Sequence, residues 1–326
     1  MALKTRGIVT QVKKETTFNT APVFADSDVV VSEKVTVTPK VDMVDRKNLG
    51  CSIVSEAGIP VRFTTTGDMS FELETNGSGD LQGAVLYEAG FGYKLANGAT
   101  IDEANHKIVY KSDASGDAVI YRVASGDIAR ISLAIKKYFD SGDVVLQSLG
   151  NVVNKVELDF KQADILMASF GLEGSSYATM TGQTKPACTA DSGVPFVGKN
   201  ATFTYDGASV CAKDIKITID NSITNSECIT SEGYGDKDIV EKKISGSFTC
   251  LLEDFSYLDK LTNQTVGKLF TDIKVGTKEV AVYLPRIKVS DVSVNDDSNK
   301  LIDVTVNFTA EFDTTANDVM MLAVKE

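Results

Sequence analysis

The residue types that most enzymes use for proton transfer and metal binding are scarce in this sequence. His106 is its one histidine and lies in a polar stretch, which excludes a histidine-based triad and a histidine-rich metal site. Five cysteines occur at wide spacings: Cys51, Cys188, Cys211, Cys228 and Cys250. Their odd number and the lack of a C-x-x-C pair indicate neither a zinc site nor a disulfide framework, and Cys250 is predicted to be a buried, unreactive thiol. We therefore predict no catalytic residue and no enzyme.

Two further stretches fall short of known ligand-binding motifs. Gly90-Phe91-Gly92 lacks the third glycine and the preceding strand of a dinucleotide-binding fingerprint, and no Walker lysine follows a glycine loop. The run Asn295-Asp296-Asp297-Ser298-Asn299 offers oxygen ligands for Ca²⁺ but lacks the distal glutamate of an EF-hand, and such clusters usually form turns. We expect a turn there, and no cofactor or metal ion.

The charge balance argues against binding to polyanions. Forty-five acidic residues against 33 basic ones give a net charge of −12, whereas nucleic acids and anionic membranes bind clustered lysine and arginine. The N-terminus has no apolar signal-peptide core, and no apolar run approaches the roughly 20 residues of a membrane helix. We predict no membrane anchor and synthesis in the cytoplasm.

Long alternating segments predict a mainly β protein. From Ile302 to Asp313 every even position is apolar and every odd position is polar, which is the period of a strand with one buried face. The stretch Val61 to Thr75 has the same pattern. In both segments the polar face carries carboxylates, and exposure to solvent is the simplest explanation.

The two halves of the chain share an order of elements: a long strand with a glycine, a short helix and a closing hairpin. Thr65-x-Gly67-x-Met69-x-Phe71-x-Leu73 matches Ile244-x-Gly246-x-Phe248-x-Cys250-x-Leu252, helices are predicted after Asp80 and near Leu258, and the 156–170 hairpin matches the 292–312 hairpin. This order predicts a duplicated β-barrel or β-sandwich with a short flanking helix in each half and long loops. The predicted division is an N-terminal arm 1–28, a first β domain 29–174, a linker or long loop 175–200 and a second β domain 201–326.

Three segments resemble the tail tube proteins of long-tailed bacteriophages. They are the arm Glu15-Thr16-Thr17-Phe18-Asn19-Thr20-Ala21-Pro22, the strand Ile244-Ser245-Gly246-Ser247-Phe248-Thr249, and Asn154-Lys155-Val156-Glu157-Leu158-Asp159-Phe160 leading to Ala168-Ser169-Phe170-Gly171-Leu172-Glu173-Gly174. Their order and spacing cover nearly the whole chain. A glycine is usual where Asn19 stands, but asparagine also adopts positive φ.

The resemblance implies a structural virion protein, made in the host cytoplasm, whose copies join their long strands into rings. The rings would stack into a tail tube through which phage DNA passes without specific binding. Two tube folds in one chain would give a trimeric ring with pseudo-six-fold symmetry, whereas one fold with insertions would give a hexamer. The tape measure, terminator and distal tail proteins are further implied partners.

Two sets of site residues follow from this interpretation. Acidic side chains on the polar faces of the strands are predicted to line the lumen and repel DNA: Asp68, Glu72, Glu74, Glu157, Asp159, Asp303 and Glu311. Residues of the arm are predicted to stack one ring on the next: Glu15, Thr16, Thr17, Phe18 and Pro22. The alternative is a ligand- or carbohydrate-binding β-sandwich of surface or adhesin type, against which the missing signal peptide counts.

Overall fold

The computed structural model describes residues 7–45, 58–77, 79–124, 130–139, 144–188, 193–227, 233–252, 256–295 and 301–326. These residues form nineteen strands and two short α-helices, α1 Ala84–Phe91 and α2 Ser256–Asn263. The strands of the first half are β1 Val9–Lys14, β2 Val29–Val30, β3 Lys34–Val44, β4 Ile59–Glu72, β5 Lys94–Asp102, β6 Lys107–Tyr110, β7 Ala118–Ala124, β8 Leu133–Phe139, β9 Val144–Lys161, β10 Met167–Gly174 and β11 Ser176–Met180. Those of the second half are β12 Ala201–Tyr205, β13 Ala208–Ser209, β14 Ala212–Ser226, β15 Asp236–Leu251, β16 Val266–Val275, β17 Lys278–Asn295, β18 Asp303–Ala310 and β19 Asp318–Lys325.

Two repeats make up the chain, and their strands pair in the same antiparallel order. In the first repeat β1 pairs with β8, β8 with β9, β9 with β10 and β11, β10 with β4, and β4 with β3. In the second repeat β12, β16, β17, β18, β19, β15 and β14 take the corresponding places. Helix α1 follows β4 as α2 follows β15. This topology confirms the predicted mainly β, duplicated fold.

Irregularities in the pairing fall at matching positions of the two repeats. The β9–β10 pairing skips Asn154, and the β17–β18 pairing skips Ser290. The β3–β4 pairing skips Val61, and the β14–β15 pairing skips Val240. Because a bulge bends and twists its strand, the two repeats share local backbone geometry as well as strand order.

Two glycines occupy equivalent places in the repeats, as the sequence match predicts. Gly67 faces Val37 of β3, and Gly246 faces Ile217 of β14. A Cβ atom at either glycine would lie 2.5 Å from a carbonyl oxygen of the neighbouring strand. Both positions therefore require glycine because the strands approach too closely for a side chain.

The strands of the two repeats form two layers around a large shared core, and the strands β5, β6 and β7 help to bury a second, smaller cluster. Eight of the repeat strands make a continuous sheet, called the long sheet below, in the order β3-β4-β10-β9-β14-β15-β18-β17. The second layer is built by β1, β8 and β11 around the first part of β9, and by β12, β16 and β19 around the first part of β17. Val12 and Ile135 of this layer belong to the same buried cluster as Val156 and Phe248 of the long sheet.

An insertion in the first repeat links the two halves a second time. Strands β5, β6 and β7 lie between α1 and β8, and the second repeat has no strand at the corresponding place among the described residues. Strand β7 pairs with β19, the last strand of the second repeat. The buried side chains of Arg122 on β7 and Asp318 on β19 form an ion pair across this contact, with 2.6 Å between Nε and Oδ1.

The strand predicted from Ile302 to Asp313 is shorter in the structure. Strand β18 has eight residues, and its apolar positions face the core as predicted, but Ile302 and Phe312 are 45% and 37% exposed. The longest strands are β9 and β17, with 18 residues each. Both serve two layers, and their bulges interrupt the period of two that would have marked their full length.

Helix α1 begins later than the sequence predicts. Its N-cap is Gly83, which has a left-handed conformation, and it ends at Phe91 with Gly92 as C-cap. Asp80 does not cap the helix, because its carboxylate binds the side chains of Lys94 and Tyr121 instead.

Parts of the predicted arm and linker belong to the layers. Strand β1 pairs with β8 along its whole length, and both Val9 and Val12 are buried. Strand β11 pairs with β9, and Phe196, further along the predicted linker, is fully buried. After β1, residues 15–24 of the arm form a loop outside the strands.

Candidate assembly surface

The face of the long sheet that points away from the core carries most of the acidic residues predicted to line a lumen. Asp68 and Glu72 on β4 are exposed, and they alternate with the buried Met69 and Phe71. Glu157 and Asp159 on β9 and Asp303 on β18 are half-buried on the same face, and Glu311 lies just beyond the end of β18. The alternation of the strands therefore brings these carboxylates to one surface.

Glu74 does not share that face. Strand β4 ends at Glu72, and the backbone beyond it no longer alternates, because Leu73, Glu74 and Thr75 are all buried. The Glu74 side chain is 8% exposed. Burial raises the pKa of the nearby Tyr87, and the charge of Glu74 raises it further.

Lysines of the same and neighbouring strands pair with the acids of β9. Glu157 Oε1 lies 2.8 Å from Lys155 Nζ and 3.1 Å from Lys216 Nζ, and Asp159 Oδ2 lies 2.6 Å from Lys161 Nζ. Partial burial acts to raise the pKa of Glu157, but hydrogen bonds from the two lysines outweigh it and the pKa is lowered. Glu157 thus stays ionised on this surface.

The acids near β18 are paired in the same way. Asp303 accepts from Lys213 Nζ at 2.6 Å, and Glu311 lies 2.8 Å from Lys288 Nζ and 3.1 Å from Arg286 Nε. Hydrogen bonds from Lys288 and Arg286 lower the pKa of Glu311. The acids of this face are therefore paired with basic side chains, which come from β9 itself and from the strands β14 and β17.

Asp68 and Glu72 are the exception. Neither forms an ion pair within the part of the chain that the structure describes. Asp68 instead contacts Thr36 on β3, whose hydroxyl accepts from the Asp68 backbone N–H at 3.0 Å.

Charges of opposite sign also face each other where the repeats meet. Strand β9 of the first repeat pairs with β14 of the second, which sets Lys161 opposite Asp214, Asp159 opposite Lys216, and Lys155 opposite Asp220. Opposite charges in facing positions stabilise a strand pair, and like charges destabilise it. This charge pattern therefore favours the observed register of the junction.

The long sheet ends in two open strand edges. Among the residues that the structure describes, strand β3 pairs with β4 alone, and residues 289–295 of β17 pair with β18 alone. Apolar side chains on both edges are exposed, including Val41 at 39% and Val294 at 42%. Pro39 lies within β3, and a proline within a strand is a sequence signal of an edge.

The loop of residues 15–24 is fixed to its own chain at one end. The Glu15 carboxylate accepts from the backbone N–H groups of Asn19 and Gly150, each at 2.8 Å. The Phe18 ring centroid lies 4.9 Å from the Arg130 guanidinium carbon. Asn19 has a φ of 57°, so the left-handed conformation expected at this position is confirmed.

The other residues of this loop are available for contacts. Thr16 and Thr17 are exposed, Pro22 is half-buried, and Val23 is 88% exposed. Glu15 and Phe18 therefore hold the loop in place, while the two threonines and Val23 form its outer surface.

Several of the residues that the sequence singled out as possible catalytic or ligand-binding groups are packed against neighbouring elements or end a helix. His106 is half-buried beside the Phe270 ring, with 5.9 Å between centroids, and Cys250 is buried as predicted. Gly92 of the glycine pair caps α1. Residues 296–299, which include the possible calcium ligands Asp296 and Asp297, lie outside the described residues.

One group of carboxylates lies close together where the insertion meets the second repeat. Oxygen atoms of Glu103, Asp272 and Glu279 are within 4.8 Å of one another, and Lys274 Nζ lies 2.6 Å from Glu103. Burial raises the pKa of Asp272 to about 7, and the charge of Glu279 adds to this shift. The lysine makes this group a salt-bridge network. No helix in the described ranges is long and apolar enough to cross a membrane.

Comparisons with known proteins identify the family to which this chain belongs. No curated protein matches the chain. Residues 5–310 match the family described as phage tail tube protein, and this match includes the insertion and every strand except β19. The chain therefore belongs to the phage tail tube protein family and is a structural component of a bacteriophage tail.

Proposed function

We propose that copies of this protein assemble into rings that stack to form the tube of a phage tail, through which DNA passes. The observation that carries the proposal is the pair of open edges on β3 and β17 at the two ends of one sheet. Open edges are a template for pairing with another chain, and natural proteins cover or use them. Two different edges on one chain make a head-to-tail contact, which generates a ring when the rotation closes.

The two repeats support a trimeric ring with pseudo-six-fold symmetry over a hexameric one. Each chain contributes two equivalent sets of strands to the long sheet. The division into two tube-like domains follows this duplication, with β11 at the start of residues 175–200 belonging to the first domain and the rest of that segment connecting the two. A structural role in the virion, without catalysis, and contacts with other tail proteins at the ends of the tube complete the proposal. A ligand-binding β-sandwich lacks any comparable support.

Stacking of the rings is assigned to the loop of residues 15–24. Glu15 and Phe18 position this loop, and the exposed Thr16, Thr17 and Val23 offer the contact surface. Pro22 restricts the backbone between them. An 88% exposed valine at a protein surface fits a contact with another copy, which would remove it from water.

Negative-stain microscopy with sedimentation velocity tests the assembly. We expect rings and tubes that grow with protein concentration, and Val23→Asp is expected to yield rings with few or no tubes, because it places a charge in the stacking contact. Ala25→Asp serves as the control. Ala25 is also exposed and lies two residues after Val23, and this variant should form tubes. A single 35.0 kDa species at every concentration and salt would contradict the proposal. Normal tubes from Val23→Asp would contradict the stacking assignment alone.

The outward face of the long sheet is assigned to the lumen. Six basic partners balance the six acids of this face, so its unpaired negative charge lies at Asp68 and Glu72, which form no ion pair among the described residues. An acidic wall repels phosphates, whereas a basic one holds them.

Replacing Asp68 and Glu72 together by lysine should make assembled tubes bind DNA, with an affinity that falls steeply between about 50 and 200 mM salt. Co-sedimentation of tubes with a short duplex measures this binding. Asp113→Lys, in the exposed turn before β7, is the control because it lies outside the long sheet. Binding by the control that equals binding by the double variant would place these acids elsewhere than in the lumen.

A further inference from the structure

The junction between the two repeats is a complete strand pairing inside one chain. Strand β9 pairs with β14 from Lys161 opposite Asp214 to Lys155 opposite Asp220. On the core side, the apolar residues of this junction are at most 5% exposed: Val156, Leu158, Phe160, Ile215, Ile217 and Ile219. The chain therefore contains one fully formed example of how a repeat joins the next.

The two strands of this junction have equivalents at the open ends of the long sheet. Val37 of β3 is equivalent to Ile217 of β14, because they face the equivalent Gly67 and Gly246. The β14 strand is buried against β9, but β3 has no strand on that side within the described ranges. On this edge Lys137 Nζ donates to the Val35 carbonyl at 2.7 Å.

Strand β17 carries the complementary edge. Leu158 and Val294 hold the same place in their hairpins, where they face Ala168 and Val304. Leu158 is 1% exposed in the internal junction, whereas Val294 is 42% exposed. The end of β17 thus presents, without a partner, the side chains that β9 buries against β14.

Transferring the internal register to these edges gives specific contacts. Leu158 faces Ile217 in the chain, so Val294 would face Val37 of the next copy. Lys155 faces Asp220, and by the same count Asp291 would face Lys40. The lysine and the aspartate have changed places between the two strands, but the facing charges are still opposite. Both Asp291 and Lys40 are exposed in the single chain.

We propose that the end of β17 in one copy pairs antiparallel with β3 of the next copy in the register of the β9–β14 junction, with Asp291 opposite Lys40 and Val294 opposite Val37. This inference rests on the proposed ring assembly and names the surfaces that close it. Pro39 is equivalent to Ile219 of the β9–β14 junction. Because proline has no backbone N–H, the proposed junction has at most one inter-strand hydrogen bond fewer than the β9–β14 junction.

Charge reversal tests the register. Lys40→Glu and Asp291→Lys are each expected to abolish rings, because each puts like charges in facing positions, and the double variant is expected to restore them. Lys268→Glu, at an exposed lysine of the second layer, is the control and should form rings. Circular dichroism melting of each variant reports whether it is folded.

Zero-length carbodiimide coupling of assembled wild-type protein gives a second readout. Rings mixed from unlabelled and ¹⁵N-labelled chains should yield a Lys40–Asp291 cross-linked peptide between chains, and Lys155–Asp220 within one chain is the positive control. Two results would overturn this register and leave the proposed function standing. One is that wild-type rings form and the folded single variants form rings equally well. The other is that wild-type rings give only the Lys155–Asp220 product. Wild-type protein that forms no rings would instead refute the proposed function.

Discussion

Replacing Arg122 by methionine should lower the free energy of unfolding by about 3–5 kcal/mol, because it leaves a buried carboxylate without its counter-charge. The Arg122 and Asp318 side chains are only 5% and 0% exposed, with 2.6 Å between Nε and Oδ1. The guanidinium also donates to the Asn317 carbonyl at 2.9 Å and lies 3.9 Å from the centre of the Tyr110 ring. Urea denaturation followed by circular dichroism measures the loss.

The effect should depend on pH in a direction that follows from Asp318. Burial raises the pKa of Asp318 to about 7, against the opposing effect of Arg122, whereas an unfolded aspartate has a pKa of about 4. The folded state therefore holds more protons between these values, and this group contributes stability that decreases as pH rises from about 4 through 7. Without Arg122 the pKa rises further, so the loss should be larger at high pH than at low pH.

Arg286→Met is the matched control. Arg286 pairs with Glu311 at 3.1 Å, but both side chains are more than a third exposed, and such pairs contribute at most about 1 kcal/mol. Equal losses for Arg122→Met and Arg286→Met would show that the Arg122 pair is not the link between β7 and β19 that its burial indicates.

The second large loss is expected from Gly246→Val, at about 3 kcal/mol or more. A Cβ at this position would lie 2.5 Å from both the Lys216 carbonyl oxygen and the Phe308 ring, so β14 and β18 would have to move. Because both strands belong to the long sheet, the variant should also assemble poorly. Thermal melting and sedimentation velocity measure the two effects.

Ser247→Val provides the comparison for this glycine. Ser247 is the next residue of β15, and it is half-buried on the opposite face of the strand. Valine favours strands there, so the change should alter the free energy of unfolding by less than about 1 kcal/mol. A Gly246→Val protein as stable as Ser247→Val would mean that the neighbouring strands adjust without cost.

The repeat itself could be predicted from sequence because its signal is local. Alternation around Gly67 and Gly246 fixes which side chains of β4 and β15 face the core, and the structure places both glycines in the same register. The lengths of β9 and β17 could not be predicted, because each strand passes from one layer to the other at a bulge. The bulge of β9 is near Gly150, which has a φ of 61°, and that of β17 lies between Leu284 and Ile287. A bulge shifts which positions of a strand are apolar, so the sequence pattern of each strand resembles that of two shorter strands.

The surface charges could be predicted only in part. Asp68 and Glu72 lie on the outward face as expected, but Lys213 and Lys216 reach Asp303 and Glu157 from another strand. The alternation of apolar and polar residues within a strand does not reveal which distant strand it pairs with. Glu74 was misplaced for a related reason, because the end of β4 depends on contacts with Leu166 and Gln82 that lie outside the alternating segment.

The internal β9–β14 junction has a kinetic consequence for assembly. Two repeats held in one chain meet at an effective concentration that their connection sets, which does not fall when the protein is diluted. Half of the repeat-to-repeat junctions of a ring are thus complete as soon as each chain has folded. Ring formation from this chain should therefore have a lower reaction order in protein concentration, and a lower critical concentration, than ring formation from the same repeats supplied as separate chains.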